Sequence, residues 1–255
     1  MARRAFRTVA LAGAVVLAAA APAAAQHVTH VPWAEGEHLE YAVRFNGLSV
    51  GSARMDVLGI DTVRGRRAWK LNFNVSGSAL VFYHVDDSYE SWMDAETLFS
   101  LRFVQRIHEG NYRPVRTFEI FPDRAVFKQD DKPEEPSVAE PLDDASFFFF
   151  LRTIPLEVGK TYEFPRYFNP KANPVIIRVL RKEHIRVPAG EFDAIVIQPI
   201  IKTTGLFSDN GMAELWLSDD SRRILLQLRS KFSIVNLSLA LKAMTLPPLS
   251  TAPRK

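Results

Sequence analysis

The sequence predicts a mainly β protein: one large antiparallel curved sheet, forming a barrel, a half-barrel or a sandwich, with one short helix near 144–153. Three observations carry this. Apolar residues alternate with period two through most of the chain, the apolar set is rich in Val, Ile, Phe, Tyr and Trp, and clusters of Gly, Pro, Asn and Asp separate the runs.

Before the β region, residues 1–25 have the three parts of a secretory signal. Arg3, Arg4 and Arg7 form a basic start, an apolar run extends from Val9 to Ala21, and Ala23-Ala24-Ala25 supplies a small-residue cleavage site. The run is mostly alanine and falls short of the roughly 20 residues a spanning helix needs. Cleavage after Ala25 is therefore expected, leaving a soluble chain in the periplasm or outside the cell with no transmembrane segment.

The sequence has no cysteine, so a mature N-terminal Cys cannot carry a lipid, and thiol catalysis and thiolate metal sites are excluded. A domain of this size can hold its core without disulfides. Losing the three signal arginines brings Lys+Arg from 32 down to the 29 of Asp+Glu. The net charge of +3 is thus a property of the signal, and it gives no support to a nucleic-acid partner.

Residues 26–246 read as a single β-rich domain. The first hairpin is the clearest: a strand over 39–45, the pair Asn46-Gly47, and a return strand to Val57. Both turn residues tolerate the positive φ that a type I′ turn requires. Further strands are expected at 68–76, 79–93, 100–109, 113–121 and 124–129. Then "DDKPEEPSVAEP" concentrates prolines and acids, and residues 130–142 read as a solvated acidic loop.

After that loop, Asp143 and Asp144 can cap a helix that stops before Pro155. It would contain Phe147, Phe148, Phe149 and Phe150, which on a helix point in four directions and so demand enclosure on every side. Strands follow at 160–164, 174–186, 191–202, 211–217, 222–231 and 233–243, with Pro188 and Gly190 marking one turn. The tail, 247–255, has too little apolar content to order itself.

The chain also resembles itself. "ESWMDAETLFSL" parallels "ELWLSDDSRRIL", Val57-Leu58 parallels Val179-Leu180, and Gly36 parallels Gly159, all at offsets close to about 124 residues. Two similar β halves, about 36–130 and 159–245, are expected, joined by the acidic loop and the short helix. A β unit with one apolar face must bury that face against something.

Several stretches together resemble the exported bacterial family called domain of unknown function 3108: "GEHLEYAVRFNGLSVGSARM", "DDSYESWMD", "FFFFLRTIPLEVGKTYEFP", "VPAGEFDA" and "WLSDDSRR". The resemblance implies an exported β-rich domain and supplies no catalytic residues. The "WLSDD" grammar is also similar to strand pairs of periplasmic lipoprotein carriers, whose half-barrels hold acyl chains. That similarity concerns architecture, which does not license function.

Two candidate sites follow from the residues. The first is apolar: Phe147 to Phe150 with Trp69, Trp92 and Trp216, lining a concavity that takes a lipid or other apolar small molecule. The second is polar: His84, Asp86, Asp87 and Glu90 in "FYHVDDSYESW", where a histidine and carboxylates could pair for acid-base or hydrolytic chemistry. His27 and His30 lie in a segment expected to fray, which makes a metal-binding tail a poor reading. There is no Gly-x-Ser-x-Gly elbow, phosphate-binding glycine loop or His-Glu-x-x-His motif, and no metal or cofactor is implied. The leading expectation is a non-enzymatic binding module; the alternatives are an envelope structural or interaction module that recognises another envelope protein, and a hydrolase or metal-dependent enzyme centred on His84, Asp86, Asp87 and Glu90.

Overall fold

Asn46 and Gly47 adopt positive φ of 47° and 84° and reverse the chain between β1 (His38–Phe45) and β2 (Leu48–Val63). This turn opens the computed structural model, which describes residues 30–79, 83–201, 212–232 and 235–249. The chain continues through β3 (Arg66–Ala79), β4 (Tyr83–Asp94), β5 (Ser100–Arg106), β6 (Val115–Phe121), β7 (Val126–Gln129) and β8 (Glu134–Pro136). One α-helix, α1 (Asp144–Phe150), leads to β9 (Thr161–Phe164), β10 (Val175–Val187), β11 (Gly190–Ile200), β12 (Met212–Ser218), β13 (Leu225–Phe232) and β14 (Val235–Thr245).

Among the described residues these strands form one antiparallel sheet in the order β8-β7-β6-β5-β4-β3-β2-β1-β14-β13-β12-β11-β10-β9. The expected fold class is what the structure shows. Every neighbour is a hairpin partner except β1 and β14, which join the two halves at the centre of the sheet.

The sheet does not close by strand pairing. Its two edges are instead stitched by irregular chain: the Leu142 amide donates to the Arg166 carbonyl at 2.6 Å, and the Phe168 amide donates to the Leu142 carbonyl at 2.9 Å. Both edge strands are short, and Glu134, Glu135, Pro136, Glu163 and the following Pro165 blunt them against further pairing.

Three expectations change in detail. Glu134–Pro136, read as part of a solvated loop, pairs with β7, because an exposed edge position tolerates proline and acids. The helix ends at Phe150 rather than near 153, its last turn tightening through Arg152 N–H to Phe149 carbonyl and Thr153 N–H to Phe150 carbonyl. At the start of the expected tail, the Pro247 carbonyl accepts a bond from Arg222. Residues 1–29, with the expected signal and His27, and residues 250–255 lie outside the described residues.

The two halves carry the same irregularities at matching places. Leu58 is an extra residue of β2 opposite β3, and Leu180 is an extra residue of β10 opposite β11. Register also shifts beside Trp92 between β4 and β5, and beside Trp216 between β12 and β13. Val57 exchanges backbone bonds with Gly36 and Glu37, as Val179 does with Gly159 and Lys160. An internal duplication, which we propose, accounts for these matches.

Gly51 and Gly77 face each other across β2 and β3. A Cβ on Gly51 would overlap the Ser76 carbonyl and the Gly77 Cα, so the strands approach more closely here than any side chain allows. Gly51→Ala should cost about 2 kcal/mol in urea unfolding; a loss below about 0.5 kcal/mol would show that the strands separate without strain.

Candidate functional site

The helix begins where the sequence predicts. Asp143 is its N-cap, accepting from the Ala145 amide at 3.0 Å and the Ser146 amide at 2.8 Å, while Ser146 Oγ accepts from the Asp143 amide at 2.8 Å. This reciprocal pair is a capping box closed by serine. It fixes the entry of the chain and so the direction in which all four phenylalanines project.

Those rings are enclosed. Phe147, Phe148, Phe149 and Phe150 are 3%, 8%, 1% and 5% exposed. Trp33 lies edge-on to Phe149 at 5.4 Å and to Trp69 at 6.3 Å, Phe164 stands against Phe150 at 5.1 Å, and Phe73 lies 5.7 Å from Phe148. The helix is thus a plug in the concave face, and most of its rings meet other rings.

The seven residues expected to line one apolar site are not brought together. Phe147 to Phe150 and Trp69 share the core, but Trp92 sits opposite Lys70 and Arg102 on the other face, in a small cluster with Val63, Ala68, Leu101 and Val104. Its indole N–H donates to Asp61 at 2.8 Å, and Lys70 lies 4.9 Å from its ring. Trp216 mirrors it: the indole donates to Glu183 at 2.5 Å, with Arg181 at 5.8 Å and Arg229 at 5.3 Å from the ring. The reason is strand parity, since neighbouring residues point to opposite faces.

The polar cluster divides in the same way. His84 bonds Ser78 at 2.9 Å on the outer face, and Asp86 is exposed there beside a groove that also holds His38 and Arg54. Glu90 pairs with Arg106 at 2.5 Å and Lys70 at 3.6 Å. Asp87 points the opposite way, is 5% exposed, and accepts from the His108 amide at 2.9 Å. Among the described residues no three His, Asp or Glu side chains group as metal ligands, and His30 is exposed without such company.

Sequence reading missed a gradient of burial beside the plug. Along the concave face of β1, exposure runs 1% at Leu39, 0% at Tyr41, 5% at Val43 and 36% at Phe45. On β3 it passes from 2% at Trp69 and 0% at Leu71 to half-buried Phe73 and Val75. Val85 and Tyr89 on β4 are half-buried as well. The concavity is therefore filled at the helix end and opens toward the β1–β2 turn, with Phe148, the most exposed of the four rings, at the boundary.

Acids lie beneath this boundary. Asp143 also accepts from Ser91 at 2.6 Å, and burial pushes its carboxyl up to about 6. Burial also raises Asp144, which accepts from Tyr167 at 2.7 Å and Gln105 at 3.2 Å. The Tyr89 phenol is raised by burial first and then by Asp87, Asp144 and Glu109.

Fold and site together define a β-barrel-like domain with a helical plug and a concave face that becomes half-buried toward the β1–β2 turn. The chain belongs to the family described as Protein of unknown function (DUF3108), whose model matches residues 40–240. It is similar in fold to a β-barrel-like protein of the DUF1849 family from Brucella abortus, at TM-score 0.55 and 10% identity, covering 84% of this chain and 99% of that one. A Parabacteroides distasonis protein provisionally described as a lipoprotein aligns at TM-score 0.39 and 10% identity, over 86% of this chain and 100% of that one. No curated protein matches this chain.

The raised Asp143 predicts a pH effect. The folded protein binds this proton more tightly than the unfolded chain does, whose carboxyl titrates near the ordinary 3.8. Asp143 therefore favours folding more as pH falls through about 6 toward 3.8. Between pH 7 and pH 5 the wild type should gain about 1 kcal/mol relative to Asp143→Asn. Parallel stability-versus-pH curves for the two proteins would contradict this.

Proposed function

We propose that this chain is an exported, non-catalytic binding module whose trough holds a lipid-like apolar ligand, such as an acyl chain. The observation that carries the reading is the gradient on the concave face, where apolar residues pass from fully buried beside α1 to half-buried or exposed toward the β1–β2 turn. Such a surface offers burial to a long apolar group at roughly 25 cal/mol per Å². Phe148 would be its floor, and Phe73, Val75 and Tyr89 its walls.

Two other readings have less support. Recognition of an envelope protein through a sheet edge meets edge strands that are short and carry proline and acids. Chemistry centred on His84, Asp86, Asp87 and Glu90 would need those groups on one side of the sheet, whereas Asp87 faces away from the other three. An exported location fits the signal-like first 25 residues. No helix among the described residues is long and apolar enough to cross a membrane.

The test is lipid content. Protein purified from the producing cell should yield a bound acyl-chain species by mass spectrometry, and Val75→Trp, which fills the trough, should reduce it at least fivefold while the protein stays folded. Absence of any such species, together with no binding of a fluorescent fatty acid by the wild type, would overturn the proposal.

A further inference from the structure

The end at which the concave face opens carries a second feature. Phe45 and Leu48, at the β1–β2 turn, are 36% and 73% exposed. The turn is held outward by a reciprocal pair of bonds, the Asn46 amide to the Asn236 carbonyl at 2.8 Å and the Asn236 amide to Asn46 Oδ1 at 2.8 Å. The two large apolar side chains therefore stand on a fixed hairpin.

Beside this turn the outer face is basic. Arg44 pairs in register with Ser238, Ser238 with Arg229, and Asn236 with Lys231. A groove of about 470 Å³ runs here, lined by Arg229, Lys231, Asn236 and Ser238. The carboxylate that borders it, Glu214, is already held by both terminal nitrogens of Arg181 at 3.1 and 3.2 Å. Arg229 is balanced by Glu183, whose carboxyl it helps to hold low, whereas Lys231 on the groove and Arg44, two strands away and outside the groove, have no ion-pair partner among the described residues. Strands lie about 4.8 Å apart, which spreads Arg44 and Arg229 over about 10 Å.

We propose that this end of the protein docks on an anionic phospholipid surface. Phe45 and Leu48 enter the apolar boundary of the bilayer, while Arg44 and Lys231 meet lipid phosphates at the headgroup level. Charge complementarity selects this occupant: a neutral apolar partner would leave two cations facing it unpaired, whereas an anionic membrane satisfies both the apolar side chains and the charges. Docking places the mouth of the trough against lipid, but it does not require that the trough hold a ligand.

The experiment is flotation of protein purified after export with vesicles of phosphatidylcholine containing phosphatidylglycerol, and with phosphatidylcholine alone. Binding to the anionic vesicles alone, weakening as salt is raised, is expected. Lys231→Gln should lower it roughly fivefold, the loss of one basic residue near the surface, and Leu48→Glu tenfold or more. Arg186→Gln, at the β10–β11 turn on the opposite end, should leave it unchanged. No binding, or equal binding by wild type and Leu48→Glu, would overturn the proposal whatever the lipid content of the trough.

Discussion

The bidentate pair between Arg152 and Glu37 is the constraint on which the other parts of the structure depend. Arg152 Nη1 and Nη2 donate to the two Glu37 carboxylate oxygens at 2.6 and 3.1 Å, and the two side chains are only 2% and 1% exposed. The remaining donors reach the Pro32 carbonyl at 2.7 Å and the Arg222 carbonyl at 2.9 Å. A buried charge pair recovers its desolvation cost only with such geometry and with its other hydrogen-bonding capacity filled. Here that requirement ties together the segment before β1, the residue just after α1 and the β12–β13 turn, which are far apart in the chain.

The plug depends on this knot. Arg152 lies 5.6 Å from the rings of both Trp33 and Phe149, so the ion pair and the ring cluster share a wall. Nearby, the buried Tyr41 hydroxyl donates to the Leu225 carbonyl at 2.9 Å, linking β1 to β13. One end of the concavity is therefore held by polar contacts of fixed geometry and filled by aromatic rings. At the other end no comparable filling by the described residues reaches the concave rows of β1 and β3, and this asymmetry leaves that end of the concave face half-buried.

Much of this was legible in the sequence, and the limits have physical causes. Asn46-Gly47, period-two alternation and the aspartate before the phenylalanines encode local geometry, so the hairpin, the sheet and the capped helix could be read directly. The repeated Val-Leu and Trp motifs fall at the register shifts, because an extra residue in a strand leaves a local mark. Trp92 and Trp216 were grouped with Trp69 because aromatic content was read without parity; counting alternation from Lys70 and Glu183 separates them. Phe73, Val75 and Tyr89 look like any core residues, since their exposure depends on how far α1 reaches across the sheet. The Glu37–Arg152 pair spans 115 residues and leaves no local signal beyond an arginine beside an apolar run.

The most direct test of the role of this pair is a double-mutant cycle in urea unfolding, with Glu37→Met, Arg152→Met and both together. Glu37→Met leaves Arg152 buried with carbonyl partners alone, Arg152→Met leaves Glu37 with only Arg222 Nη1 at 3.7 Å, and each should cost about 3–5 kcal/mol. The double change, which removes both charges, should cost clearly less than the sum of the two, by about 2 kcal/mol or more. Single losses below about 1 kcal/mol, or strict additivity, would show that the plug and the sheet hold without the buried pair.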